Sequence, residues 1–174
     1  IESLQLDIKG AIFSEQDEVG DSFIFCQNLF KWLQNNNTEF IFNRRVENLA
    51  IWKNKVNGYF SEGKLYQADQ IVSCLGSFTD KIIGHPTPVL PVKGYSITLK
   101  PGEKQFSRSI TLADKRILFT RLGEKVRITG FADFVDLSNY KEKERLDLLI
   151  SLSQEIAPDL ADYNSGQLTS WLLD

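Results

Sequence analysis

The sequence is poor in the residues that most often carry chemistry on their own. It has one histidine, two cysteines and no methionine, and Cys26 and Cys74 are too far apart to form a C-x-x-C pair. This pattern argues against a zinc site or a disulfide scaffold and fits a reducing compartment. His85 stands between a glycine and a proline, so we predict a surface linker residue there rather than the base of a Ser-His-Asp triad.

The glycines and carboxylates also lack functional spacing. None of the eleven glycines forms a G-x-G pair, so the sequence has neither a dinucleotide-binding fingerprint nor a Walker loop. It has no G-x-S-x-G nucleophile elbow, and its carboxylates are scattered rather than paired for glycosidase chemistry. From pattern alone we therefore assign no catalytic residue and no metal ligand.

Charge and hydropathy are those of an ordinary globular protein. The net charge of -3 gives no general attraction to nucleic acid or to an anionic membrane surface. No apolar run approaches the roughly 20 residues that span a bilayer, and no signal-peptide pattern opens the chain. We therefore expect a cytoplasmic protein that binds no nucleic acid.

The ends of the sequence suggest that more chain exists. It begins with Ile1, contains no methionine, and stops in the apolar run that ends at Asp174. We expect an internal fragment that lacks N- and C-terminal parts of its own chain; a trimmed form of the chain is the alternative.

Hydrophobic periodicity in the first half predicts one amphipathic helix and several strands. Asp21 and Ser22 precede apolar residues at helical spacing, which indicates a capped helix that ends near residues 35–37. Alternating or apolar runs predict strands and a meander at 8–13, 40–42, 46–52 and 55–67, and a buried strand at 70–76.

The second half is dominated by extended segments. The connector 85–88 contains two prolines, which fix their own φ angles and bias the preceding residues toward extended conformations. A helix is predicted to start at Ser138 or Asn139 and to end before Pro158. Strands are predicted at 89–99, 108–112, 116–121, 125–131 and 167–172. This mixture predicts an α+β (mixed α/β) fold.

Two segments carry a family resemblance. Residues 68–78 (ADQIVSCLGSF) place an acidic residue before an apolar run that ends in small residues and glycine, and residues 90–99 (LPVKGYSITL) form a P-V-K-G-Y-S-x-T segment. The first resembles a strand beside the flavin nucleotide in the superfamily of D-amino acid oxidase, glycine oxidase and sarcosine oxidase. The second resembles the FAD-dependent D-amino acid dehydrogenases, where it enters the substrate-binding sheet.

The resemblance implies a domain organisation and a cofactor. Residues 14–84 would form part of an FAD/NAD(P)-binding-type domain, and residues 1–13 and 85–174 an antiparallel substrate-binding (cap) domain with helices. The cofactor would be FAD, which accepts a hydride from the Cα of a D-amino acid. Water would then hydrolyse the resulting imine to a 2-oxo acid and ammonia. The electron acceptor would be a membrane quinone, which allows a location at the periphery of the inner membrane.

The resemblance also implies site residues. On the flavin side it points to Val46, Cys74, Leu75 and Gly76, mainly through backbone atoms. On the substrate side it points to Tyr95, Ile117 and Arg121. A W-x-x-L-R-P segment of the family would begin at Trp171 and would put its arginine, the main carboxylate ligand, just past Asp174.

Two alternatives remain open at this stage. One is an amine oxidase of the glycine or sarcosine type, and the other is a non-catalytic binding module derived from this fold. We expect the 174-residue chain alone to lack dehydrogenase activity, because it lacks the loop that cradles the flavin phosphates.

Overall fold

The chain contains two compact units, each with its own antiparallel sheet. The computed structural model describes residues 4–134 and 142–173, with the side chains of 4–134 and 142–165. Residues 4–25, 91–134 and 142–173 belong to the first unit, and residues 26–90 to the second. Helices and antiparallel sheets are both present, so the predicted α+β fold is confirmed.

Residues 4–21 contain no helix or strand. The predicted strand at residues 8–13 is therefore wrong. Ile12 is fully exposed, and among the described residues no strand pairs with this segment to take up the backbone hydrogen bonds that a strand requires. The segment is held instead by single contacts, including a hydrogen bond from Gln5 N to Ile156 O (2.7 Å).

The first helix, α1, spans Ser22–Asn35 and confirms the predicted capped helix. Asp21 Oδ1 accepts hydrogen bonds from Phe23 N (3.0 Å) and Ile24 N (3.2 Å), which satisfies two of the free amides of the first turn. The helix ends before Asn37, whose φ of 63° is in the left-handed region.

The strand predicted at residues 40–42 does not form. Phe40 and Phe42 pack instead against Phe30 of α1, with ring centroids 4.4 Å and 5.8 Å from the Phe30 ring. The burial of these rings explains the apolar pattern without any strand pairing.

The predicted strand and meander are confirmed as three antiparallel strands in the order β1-β2-β3: β1 (Asn48–Trp52), β2 (Lys55–Ser61) and β3 (Lys64–Gln67). Two-residue turns join them. Lys53 and Asn54 have φ of 47° and 60°, and Glu62 and Gly63 have φ of 53° and 69°. Positive φ at both turn residues is typical of tight hairpins.

The buried strand predicted at 70–76 is wrong. Residues 70–75 form no strand, and Val72 and Cys74 are exposed. A buried strand needs hydrogen-bonded neighbours on both sides, and the three-stranded sheet provides none among the described residues. A 3₁₀ turn at Gly76–Phe78 leads instead into a short, unpredicted helix, α2 (Thr79–Ile83), which ends at Gly84 (φ 74°).

The first unit contains a five-stranded antiparallel sheet. Its elements are β4 (Val92–Pro101), β5 (Ile110–Leu112), β6 (Ile117–Leu122), β7 (Lys125–Phe134), α3 (Glu142–Ile156) and β8 (Ala161–Leu173). The strand order is β5-β6-β7-β4-β8. All five predicted strands are confirmed, although β8 begins six residues earlier than predicted. The predicted caps Ser138 and Asn139 lie outside the described residues.

One face of this sheet, here called the helix face, packs against α3 and forms the core. Its fully buried side chains alternate along three strands, as the pleat requires, and meet Leu146, Leu149 and Ile156 of α3. The strand residues are Tyr95, Ile97, Leu99, Ile117, Phe119, Val126 and Ile128. Gly130 allows the close approach of α3, because a Cβ there would lie 2.7 Å from Leu149 Cδ1.

A β-bulge interrupts the pairing of β4 with β7. Tyr95 pairs with Gly130 and Gly94 with Ala132, so Phe131 is the extra residue, and its φ is 63°. A bulge of one residue reverses the alternation of side chains beyond it. Asp133 therefore lies on the helix face, where it accepts a hydrogen bond from Tyr95.

Candidate functional site

The other face of the five-stranded sheet is rich in hydroxyl groups. Residues directly opposite each other on antiparallel strands lie on the same face. The register pairs Arg127 with Thr98 on one side and Thr120 on the other, and it pairs Thr129 with Ser96 and Leu118. We call this side of the sheet the hydroxyl face; it consists of the buried Ser96 and the half-buried Thr98, Leu118, Thr120, Arg127 and Thr129.

Arg127 is at the centre of the hydroxyl face. It is half-buried on β7, which has a paired strand on each side. Its Nε donates a hydrogen bond to Thr98 Oγ1 (3.3 Å). On the neighbouring strand, the Thr120 hydroxyl is 3.3 Å from Ser109 Oγ. Hydroxyl groups can both donate and accept, and a guanidinium donates in a planar fork. The surface is therefore suited to a small polar ligand that carries negative charge.

Two residues predicted on the substrate side lie on the helix face. Tyr95 and Ile117 flank Gly130 from the two neighbouring strands, and both are at most 1% exposed. Tyr95 donates its hydroxyl to Asp133 Oδ2 (2.9 Å). In the described chain, these side chains offer no open surface to a ligand. Their role in substrate binding stays a prediction.

Arg121 lies apart from these two residues, at the end of β6. Its Nε donates to Gly123 O (3.0 Å), its Nη1 donates to Gln105 Oε1, and its Nη2 is 3.9 Å from Glu124 Oε2. These contacts hold the guanidinium against the hairpin turn. Its predicted contact with substrate also stays a prediction.

Sequence reasoning missed the central residues of the hydroxyl face. In residues 125–130 (KVRITG), Arg127 and Thr129 alternate with buried Val126 and Ile128. An arginine on the outer face of a central strand differs from the usual short polar residues of such a face. That alternation was the signal that could have identified Arg127.

The residues predicted on the flavin side belong to the second unit. Val46 lies two residues before β1. Hydrogen bonds hold the backbone on both sides of it: Ser61 Oγ donates to Arg45 O (2.6 Å), and Glu47 N donates to Phe60 O (2.8 Å). α2 lies against β1. The predicted segments are thus parts of one unit, and flavin contact stays a prediction.

The segment 74–76 leads into two polar groups that lack partners. Cys74 and Leu75 are exposed, and Gly76 has a φ of 51°. Just beyond, Ser77 Oγ and Asp80 Oδ1 are buried and make no hydrogen bond within the described part of the chain. Buried polar atoms normally have partners. Open backbone beside unsatisfied oxygens fits a polar cofactor such as a flavin nucleotide.

Tyr163 has the clearest electrostatic perturbation. Burial raises its pKa above the ordinary value of 10.0, because a low-dielectric environment disfavours the phenolate. Its hydroxyl donates to Ser153 O (2.7 Å) and Ala157 O (3.0 Å) at the end of α3. These contacts identify a residue that secures the helix end.

Within residues 4–134 and 142–173, no three His, Cys, Asp or Glu side chains converge as a metal site. No helix in those ranges is long and apolar enough to cross a membrane.

Comparison with solved structures identifies the fold. The chain is similar to the crystal structure of glycine oxidase from Bacillus cereus ATCC 14579, with a TM-score of 0.55 and 16% identity. The match covers 74% of this chain and 36% of that one. The two chains therefore share a fold over the matched region, one that combines helices with antiparallel sheets.

Comparison of sequences identifies the family. The family model "DAO: FAD dependent oxidoreductase" matches residues 1–171, and the chain belongs to this family of FAD-dependent oxidoreductases. It is 27% identical over 169 residues to the D-amino acid dehydrogenase of Vibrio cholerae serotype O1 (strain M66-2). It is 26% identical over 165 residues to that of Vibrio vulnificus (strain YJ016). These matches cover 94% and 92% of this chain but 40% of each relative.

Proposed function

We propose that this chain is part of an FAD-dependent dehydrogenase that oxidises D-amino acids to 2-oxo acids and ammonia. Family membership supports the cofactor, and similarity to two D-amino acid dehydrogenases supports the substrate class. The observation that carries the proposal is the hydroxyl face, which presents a guanidinium among hydroxyl groups. In this proposal the substrate lies over the hydroxyl face.

The second unit contributes to cofactor binding in this proposal. Val46 acts through its backbone, and the segment 74–76 lies along the nucleotide. Ser77 Oγ and Asp80 Oδ1 then gain the polar partners that they lack within the described chain. When bound, FAD supplies the hydride acceptor for the substrate Cα–H bond.

The first unit orients the substrate. Hydroxyl groups of Thr98, Thr120 and Thr129 hydrogen-bond to its polar groups, and the sheet excludes water from one side. Tyr95 and Ile117 act from the helix face as positioning residues that fix the strands beneath the site. Rigid strands hold substrate groups more accurately than loops do, which matters because small displacements slow reactions strongly.

The electron acceptor in this proposal is a quinone, reached at the periphery of the membrane, rather than oxygen. An acceptor other than oxygen is what separates a dehydrogenase from an oxidase of the same family. Both relatives are D-amino acid dehydrogenases, which supports this choice.

The test is a substrate and acceptor panel on the full-length FAD-loaded protein that carries this sequence. D-Alanine, L-alanine, glycine and sarcosine are each assayed with oxygen and with an artificial quinone-like dye. We expect D-alanine to reduce the dye, L-alanine to be inert, and oxygen consumption to be slow. Faster oxidation of glycine or sarcosine with release of peroxide would instead identify an amine oxidase.

A further inference from the structure

We propose that Arg127 binds a carboxylate group of the amino-acid substrate. This inference rests on the proposed function and deepens it, because it assigns substrate recognition to one side chain of the hydroxyl face. It also adds a residue to the substrate side beyond the three that the family resemblance suggests.

The first argument is the unused hydrogen-bonding capacity of Arg127. A guanidinium has five N–H donors. In the described part of the chain, Arg127 Nε donates a hydrogen bond to Thr98 Oγ1, and the two terminal nitrogens make no hydrogen bond. Two parallel N–H groups in a fixed plane are the geometry that binds a carboxylate with two hydrogen bonds.

The second argument is a comparison with Arg145, which lies on the helix side of the same sheet. Arg145 Nε and Nη2 each lie 2.7 Å from an oxygen of Asp133. Its charge is thus neutralised by a carboxylate within the fold. Arg127 has no carboxylate within ion-pair distance among the residues the structure describes. A half-buried guanidinium gains stability from an anion, and for Arg127 that anion comes from outside the described chain.

The third argument is rigidity. Arg127 is on the central strand β7, directly opposite Thr98 on one neighbour and Thr120 on the other. The bond from its Nε to Thr98 limits rotation of the guanidinium plane. The side chain is therefore already oriented before a ligand arrives, which lowers the entropy lost on binding.

The carboxylate can be the α-carboxylate or one in the side chain of the substrate, and matched substrates separate these sources. D-Alanine is compared with D-alaninamide, which lacks the α-carboxylate. D-Glutamate is compared with D-glutamine, which lacks the side-chain carboxylate. Anaerobic reduction of the bound FAD is followed by stopped-flow absorbance in the full-length protein, for the wild type and for Arg127→Met and Arg127→Lys.

We expect Arg127→Met to lower the second-order rate of flavin reduction by D-alanine about 100-fold, as expected when one partner of a desolvated ion pair is removed. The rate with D-alaninamide should fall less than about 3-fold, since this substrate has no carboxylate for Arg127 to bind. The rate of Arg127→Lys with D-alanine should lie between those of the wild type and Arg127→Met, because an ammonium group keeps the charge but lacks the planar fork of a guanidinium. If Arg127→Met lowers the rate only with D-glutamate, the proposal is supported with the side-chain carboxylate as the group that Arg127 binds.

Equal losses for each acid and its amide, or no loss at all, would overturn the proposal. Arg116→Met is the control, since Arg116 is an exposed arginine of the β5–β6 turn, and it should match the wild type. If Arg127→Met fails to fold, Arg127→Lys gives the same comparison.

If the wild type oxidises no amino acid, the proposed function fails by itself. Benzoate binding, read from flavin absorbance, then decides whether Arg127 binds a carboxylate: weaker binding to the variant supports this, and equal binding refutes it.

Discussion

Tyr95 and Asp133 are joined by a hydrogen bond from the Tyr95 hydroxyl to Asp133 Oδ2, 2.9 Å long. The same carboxylate accepts two hydrogen bonds from Arg145, so one acidic side chain connects β4, β7 and α3. The contact depends on the bulge at Phe131, which turns Asp133 toward the helix face. The five-stranded sheet and α3 are fixed to each other at this point.

Replacing Asp133 with asparagine should destabilise the fold. Arg145 would lose its anionic partner, and we expect the free energy of unfolding to fall by about 1.5–3 kcal/mol, the range for hydrogen bonds to charged groups. Urea denaturation measures this. Asp114→Asn is the matched control, because its contact with Lys115 is long (3.7 Å) and exposed, and it should change stability by less than about 0.5 kcal/mol. Equal stability of the two variants would rule out a structural role for the Asp133 network.

Gly102→Ala should be strongly destabilising. A Cβ at this position would lie 2.2 Å from Asp159 O, and that backbone is held by hydrogen bonds from Gly102 N to Leu160 O and from Lys104 N to Asp159 O. We expect a loss of about 2 kcal/mol or more, typical of steric strain that forces the backbone to move. Gly10→Ala, with nothing within 4 Å, should leave the midpoint of thermal unfolding unchanged. A wild-type midpoint for Gly102→Ala would contradict the observed packing.

Tyr163 should make stability depend on alkaline pH. Its pKa is raised in the folded chain by burial. Below pH 10 the phenol is protonated in both folded and unfolded states, so its contribution is fully present. As pH rises above 10, the unfolded state releases the proton first and stability falls, by up to about 1.4 kcal/mol per pH unit. The free energy of unfolding, measured by urea denaturation between pH 8 and 11, should fall less steeply with pH in Tyr163→Phe than in the wild type. The same dependence on pH in both proteins would contradict the expected ionisation.

Flavin binding near residues 74–76 should protect Cys74 from alkylation. Cys74 is exposed in the described chain, so iodoacetamide should modify it readily in the apoprotein. The experiment uses the full-length protein in a Cys26→Ser background, with and without FAD, and mass spectrometry of the Cys74 peptide. We expect labelling to slow at least about tenfold with FAD, because reaction requires access to the thiolate. Unchanged labelling would place the cofactor away from this segment.

Local patterns predicted the antiparallel elements well, for physical reasons. The helix after Asp21 and the hairpins at 53–54 and 62–63 depend on capping and turn chemistry between near neighbours in sequence. Alternation along β6 and β7 depends on the pleat alone. Such features require no knowledge of distant residues, so the sequence reveals them directly.

The features that the sequence did not reveal depend on whether a neighbouring strand is present or on a shift of strand register by one residue. The apolar run at 70–76 has strand composition but no neighbouring strand in the described chain. The bulge at Phe131 changes which side of the sheet Asp133 occupies, and no composition signal marks it. Ile117 and Leu118 show how much a single step matters: Ile117 lies on the helix face, and Leu118 lies on the hydroxyl face.

The most direct test of the central claim is the anaerobic rate of FAD reduction by D-alanine in two variants of the full-length protein. Thr129→Leu adds bulk on the hydroxyl face, whereas Ser151→Leu adds similar bulk on the exposed side of α3. If the substrate lies over the hydroxyl face, Thr129→Leu should slow flavin reduction by about tenfold or more, because displaced substrates react slowly, while Ser151→Leu matches the wild type. Wild-type rates for Thr129→Leu would contradict the account.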